Sequence, residues 1–208
     1  MGMPVLIYGK SGSGKSRSIK NFAEDEIFLV NVERKYLPFR KNFRYVYESD
    51  ISEKIQNGLK KMPTKTAVID DAGYILTNIF MRGNSRKKTG GDVFELYNKI
   101  GYDFWSLFEF IKKELPKDVI VYIIMHDETD DFGNTKLKML GKLLEQKVCV
   151  EGMVTICLRC VTDEKGHHFI TNSDGSDITK SPEEMFLDKV IDNDLKYVDT
   201  IIREYYGI

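Results

Sequence analysis

Eight consecutive residues, Gly9-Lys10-Ser11-Gly12-Ser13-Gly14-Lys15-Ser16, constrain this chain more than any other stretch in it. They satisfy G-x-x-x-x-G-K-[ST] in full and follow directly on the apolar run Val5-Leu6-Ile7-Tyr8, which reads as a buried strand. A helix is predicted from about Gly14 to Phe22, so the motif opens a strand-loop-helix unit of an α/β sheet. The glycines let backbone N–H groups converge on phosphate oxygens, and the helix amino end adds its positive dipole. Gly9, Ser11, Gly12, Ser13, Gly14, Lys15, Ser16 and Arg17 are therefore the predicted nucleotide-binding residues. Within that set Lys15 is positioned for the β- and γ-phosphates of ATP, and the Ser16 hydroxyl for Mg²⁺.

The rest of the chain alternates strand and helix patterns. Strands are predicted at 27–32, 45–47, 67–70 entered through Thr66, 119–125 and 154–161, with a hairpin at Gly166 leading into 168–170. Asp50 with Glu53 has the spacing of a capping box for a helix to Lys61, and Ser181-Pro182-Glu183-Glu184 has the cap, proline and glutamate of another helix start. Apolar and aromatic residues recur at helical spacing over 93–115, predicting the longest helix, bent near Gly101, with Trp105 and its aromatic neighbours inward. Shorter helices are predicted at 137–146 and 195–205, the latter with Tyr197, Val198, Ile201 and Ile202 inward. Polar residues 127–134 read as a loop, and the stretch 82–91, without apolar periodicity, as a mobile one. The expected fold is α/β: one domain over 1–208, a mainly parallel central sheet with helices on both faces, and a C-terminal β-hairpin extension.

Composition narrows the partners. The 208 residues carry 31 Lys+Arg against 32 Asp+Glu, a net charge of -1, so nucleic-acid binding has to come from a local patch. Three cysteines are too few for a disulfide framework and point to a reducing, cytoplasmic setting. No apolar run approaches the roughly 20 residues that span a bilayer, so no membrane association is expected. Cys157 and Cys160, three apart on a predicted strand, point to opposite faces and do not suit one zinc ion.

Asp70 ends the strand TAVID, where a carboxylate can hold a magnesium shell. Its neighbour Asp71 is expected to point elsewhere. The order of P-loop strand, FLVNVE, TAVIDDAG, basic loop, long helix and VIVYIIMH resembles the RecA-like P-loop ATPases. GKLLEQK, KSPEEMF and NDLKYVDTIIREYY are similar to compact phage-encoded ATP-binding recombination and single-strand-annealing proteins.

That resemblance implies a Mg²⁺-dependent ATPase acting on single-stranded DNA in recombination or replication, assembled as a homo-oligomeric ring or filament. It gives Glu33 the role of activating the attacking water and His126, where RecA has glutamine, that of sensing the γ-phosphate. Arg82, Arg86, Lys87 and Lys88 fall in the place of a first DNA-binding loop, and 127–135 in that of a second, although Asp127, Glu128, Asp130 and Asp131 oppose phosphate contact there. Lys142 and Lys180 are candidates for a cation reaching a neighbouring subunit's nucleotide. Two other readings stay open: a nucleotide-dependent loader or scaffold for a replication protein, and a small-molecule kinase in which Arg82 and Arg86 belong to a lid.

Overall fold

Among the residues that the computed structural model describes, 1–84, 91–141 and 148–208, nine strands join in one sheet. In chain order they are β1 (Met3–Gly9), β2 (Ile27–Asn31), β3 (Tyr45–Tyr47), β4 (Thr66–Asp70), β5 (Ile120–Thr129), β6 (Thr135–Leu137), β7 (Ile156–Asp163), β8 (Gly166–Ile170) and β9 (Val190–Asp192). The spatial order is β3-β2-β4-β5-β1-β7-β8-β9, with β6 paired to β5 alone. All neighbours from β3 to β7 run parallel, and β8 and β9 extend the sheet as antiparallel strands. This is the RecA-like P-loop architecture, mainly parallel with a C-terminal hairpin. Because β5 lies between β1 and β4, with Gly9 in register with His126, the end of β5 is held between the glycine-rich loop and the acids after β4.

Helices cover both faces. Leu6, Tyr8, Ile69 and Ile123 pack under α1 (Ser52–Lys60), α2 (Gly73–Asn84) and α3 (Gly91–Glu114). Val5, Ile7, Val68 and Ile124 face the other way, against Ile19 and Phe22 and against Leu195, Val198 and Ile202 of α4 (Leu195–Tyr206). Strict alternation along β1 thus feeds two apolar layers, which is why the central strands read as continuous apolar runs. Each of these fully buried aliphatic side chains contributes about 1.5–3 kcal/mol relative to exposure. No helix of the described residues is long and apolar enough to cross a membrane.

Several local expectations are corrected. The helix after the glycine-rich loop is a short 3-10 helix, Ser16–Asn21, in which the Ser18 hydroxyl donates back to the Lys15 carbonyl at 2.6 Å. Such side-chain bonding competes with a regular α-helical start. Asp50 caps nothing: α1 begins after Ile51 without a side-chain cap, and the Asp50 carboxylate instead pairs with Arg82. Arg82 stands in the last turn of α2, a helix where a loop was expected. The long helix α3 runs unbroken through a buried Gly101, since packing of Ile100 and Phe104 outweighs the roughly 1 kcal/mol that a helical glycine costs. Trp105 is 40% exposed and lies against Tyr102 at 5.9 Å, outside the core.

Residues 181–184 form a turn rather than a helix, with Glu184 at φ 62° and no apolar periodicity after it to bury. Met185 and Phe186 are drawn into the core while Leu187 is left outside. In α4, Tyr197 faces solvent, and Leu195 and Asp199 are buried instead. The predicted loop 127–134 begins as strand: β5 continues to Thr129 and forms a two-stranded ribbon with β6. Leu137 ends that strand where a helix was expected to begin, and 142–147 lie outside the described residues.

Candidate functional site

The glycine-rich loop folds over the carboxyl end of β1, and the neighbouring strands leave no room for a side chain at Gly9 or Gly14. A Cβ at Gly9 would stand 2.2 Å from the Cys160 carbonyl oxygen on β7. At Gly14, φ is 98° and a Cβ would meet the His167 ring of β8 at 2.7 Å. The same hairpin grips the loop by polar contacts. The Cys160 thiol donates to the Ser13 carbonyl at 2.9 Å, and His167 Nδ1 lies 2.9 Å from that oxygen. Burial pushes the Cys160 thiol up to about 11, so it stays a neutral donor. As loop contacts, Cys160 and His167 left no local signal in the sequence: the pairing of β7 with β1 brings Cys160 to the loop, and the antiparallel return of β8 brings His167.

Lys15 is buried, and its ammonium donates to the Gly9 and Lys10 carbonyls at 2.7 Å each. Burial lowers its pKa, against the opposing fields of Cys160, Asp71, Asp127 and Asp70. It also reaches His126 Nδ1 at 3.4 Å. An ammonium has no lone pair, so Nδ1 accepts, and the opposite nitrogen carries the proton toward Asp71, 3.3 Å away.

Asp71 does not point away from the site, as the sequence reading expected. Its φ of 60° is left-handed, a conformation that Asp tolerates better than most residues, and it turns the carboxylate into the cleft. Burial alone would raise its pKa, but His126 and the Lys35 ammonium, 2.7 Å away, hold it down at about 2. Tyr74 completes the cluster, with its ring edge-on to His126 and 4.8 Å beneath the Lys35 ammonium.

Asp70 sits deeper. It accepts the Ser16 hydroxyl at 2.9 Å, and burial together with the neighbouring Asp71 pushes its carboxyl up to about 6. A hydroxyl and a carboxylate in direct contact form the all-oxygen donor pair that Mg²⁺ prefers, so these residues fit that ion. The cleft in front encloses about 680 Å³, within the range of small-molecule sites, with Lys10, Lys15, Arg17, Lys35 and Lys138 against Asp71 and Asp127. Ser11, Gly12 and Gly14 line it as well, while Arg17 also donates to Asn193 at 3.3 Å.

Glu33 does not line this cleft; it accepts the Asn78 amide at 3.0 Å. Arg86, Lys87, Lys88 and Lys142 lie outside the described residues. Lys180 exchanges two backbone hydrogen bonds with Cys157, at 2.8 and 2.9 Å. Cys157 and Cys160 join opposite core layers, and the described residues contain no group of three or more His, Cys, Asp or Glu side chains able to hold a metal.

A family model described as an AAA domain matches residues 1–185. The chain belongs to that family. This AAA domain is a P-loop NTPase of nucleotide-binding ATPase type, in agreement with its loop, its strand order and the acids at the end of β4. No curated protein matches the chain.

Proposed function

We propose that this AAA protein hydrolyses ATP with Mg²⁺ and couples the step to single-stranded DNA in recombination or replication, as a ring or filament of identical subunits. The observation that carries the catalytic part is the continuous path from Lys15 through His126 to Asp71, beside the Ser16–Asp70 pair. Lys15 gives up the loop carbonyls for the β- and γ-phosphates, and the loop amides bind the remaining oxygens. Ser16 and Asp70 would hold Mg²⁺, which when bound would neutralise charge developing on the phosphates. Asp71, ionised at neutral pH, accepts a hydrogen bond from the attacking water; with a pKa of about 2 it orients that water rather than deprotonating it. It is better placed for this than Glu33, which the resemblance would favour. His126 carries the change at Lys15 to Asp71 and to the β5–β6 ribbon.

A loader for a replication protein is the second reading. It is favoured by the ribbon tip, where Asp130 and Asp131 precede a Phe132 that is 91% exposed, a surface suited to protein rather than phosphate. The test is ATP turnover with Mg²⁺, with and without single-stranded DNA, for the native protein and Lys15→Ala. Native turnover stimulated by DNA, with at least a 100-fold loss in the variant, is expected on the scale of removed transition-state contacts. Turnover indifferent to DNA but stimulated by a replication protein selects the loader. Turnover only with a small phosphate acceptor, or none in the native protein, overturns the proposal.

A further inference from the structure

We infer that the surface formed by residues 34–47, at the mouth of the nucleotide cleft, is a track for single-stranded nucleic acid. This rests on the DNA reading above and names where the strand runs. Between Glu33 and Glu48 the chain carries five cations, Arg34, Lys35, Arg40, Lys41 and Arg44, and no acid. Interleaved with them are Tyr36, Phe39, Phe43, Tyr45 and Tyr47. In a chain of net charge -1 this is a strong local excess, and it is separate in sequence from the basic stretch 82–88.

The fold turns that pattern into a surface. The segment forms edge strand β3 and the loop leading to it, around a groove of about 820 Å³. Phe39 and Phe43 pack edge to face at 6.4 Å, and the Lys41 ammonium is spent on the Lys20 and Phe22 carbonyls, at 2.5 and 2.8 Å. These contacts fix the floor. The acids lining the groove are Glu24 and Glu48, and Glu48 meets Arg34 at 3.7 Å with both side chains exposed. Arg40 and Arg44 are exposed and meet no carboxylate among the described residues, with Arg44 resting on the Tyr45 ring at 5.7 Å.

Tyr36 is 102% exposed, so nothing among the described residues covers its ring. Two unneutralised guanidinium groups and a bare phenol ring match a phosphodiester backbone with an unstacked base, whereas a duplex keeps its bases away from such a ring. The track also touches the catalytic cleft, because Lys35 and Tyr36 line both grooves and Lys35 is the residue bonded to Asp71.

Binding of fluorescently labelled oligothymidylate to the full chain, followed by anisotropy over a salt series, tests the inference. Arg40→Ala/Arg44→Ala is expected to weaken binding at least ten-fold and to flatten the log–log salt slope by about 1.4, the value for two phosphates on a single strand. ATP turnover without DNA is expected to stay at the native level. Tyr36→Ala is expected to weaken binding several-fold, and Tyr36→Phe to retain it.

If the native protein binds no oligonucleotide, the DNA reading falls and the track with it. If it binds, and the arginine double variant binds as tightly, the track is wrong while the DNA reading stands. Loss of ATP affinity alone in Tyr36→Ala would assign that ring to the nucleobase and remove it from the track. A duplex that competes as well as the single strand overturns the single-strand assignment.

Discussion

Asp70 and Asp71 are adjacent carboxylates with opposite relations to pH. Burial raises Asp70 to about 6, so its contribution to stability is complete below the unfolded value near 4 and is lost as pH rises through 6. Asp71, held at about 2 by His126 and Lys35, contributes above the unfolded value, and that contribution is lost as pH falls toward 2. At pH 7.5 the fold therefore carries an ionised Asp70 at a cost. Asp70→Asn is expected to raise stability there by on the order of 1–3 kcal/mol while removing Mg²⁺-dependent turnover. Thermal unfolding at pH 7.5 and pH 5 reads the sign: the native protein gains stability at the lower pH from this group, and the variant loses that gain.

Residue-level legibility follows the same division. The glycine-rich loop could be read directly because its requirement is local: backbone that must approach a phosphate admits no Cβ at Gly9 or Gly14. Asp71 could not, because a left-handed turn after a strand leaves no periodic trace, and its partners Lys35 and His126 are distant in sequence.

Among the elements, α4 shows how a helix outside the site holds the sheet that carries it. Asp199 accepts Thr66 and Tyr122 at 3.1 and 3.0 Å on one oxygen and Arg203 at 2.7 Å on the other. Arg203 continues to the Asp118 and Lys65 carbonyls, at 2.9 and 3.1 Å, fastening the amino ends of β4 and β5. Asp199→Ala leaves the buried Tyr122 hydroxyl without its acceptor and the guanidinium without its carboxylate, and is expected to cost about 2–4 kcal/mol. Urea unfolding measures it, and nucleotide affinity below the transition should be retained, since the cleft lies at the opposite ends of these strands.

This helix was legible because Leu195, Val198 and Ile202 repeat at helical spacing behind Asp194, whose side chain caps its first turn. By contrast, α2 was missed: Gly73-Tyr74-Ile75-Leu76-Thr77 begins without a capping residue, and it is the layer of α3 above it that makes it helical. The signal at Ser181 was a cap with nothing to cap.

For the whole molecule, the family match ends at residue 185, but the fold does not. Asn193 donates to Cys160 at 3.1 Å and accepts from Arg17, and Asp194 accepts from Asn21 at 2.6 Å, so the last segment ties the short helix after the glycine-rich loop to β7. Removing residues 186–208 uncovers Ile19, Val68 and Ile124, which α4 covers with Leu195, Val198 and Ile202. The shortened chain is expected to lose its cooperative thermal transition and to aggregate, as read by circular dichroism and size-exclusion chromatography. Fold class was legible at this scale because alternating buried strands and helices admit few topologies. The ribbon of β5 and β6 was not, since Asp127 to Thr129 is too polar to resemble a strand.

That ribbon has a mechanical meaning. One half of β5 is immobilised between β1 and β4, and the other half leaves the sheet, with Arg159 tying its companion strand to β7 through Thr135 at 3.0 Å. His126 sits at the changeover, so on the proposed reading the protruding arm would act as a lever based at the imidazole, its tip about 10 Å out. On that reading a load on the tip and a phosphate on Lys15 would both act at His126.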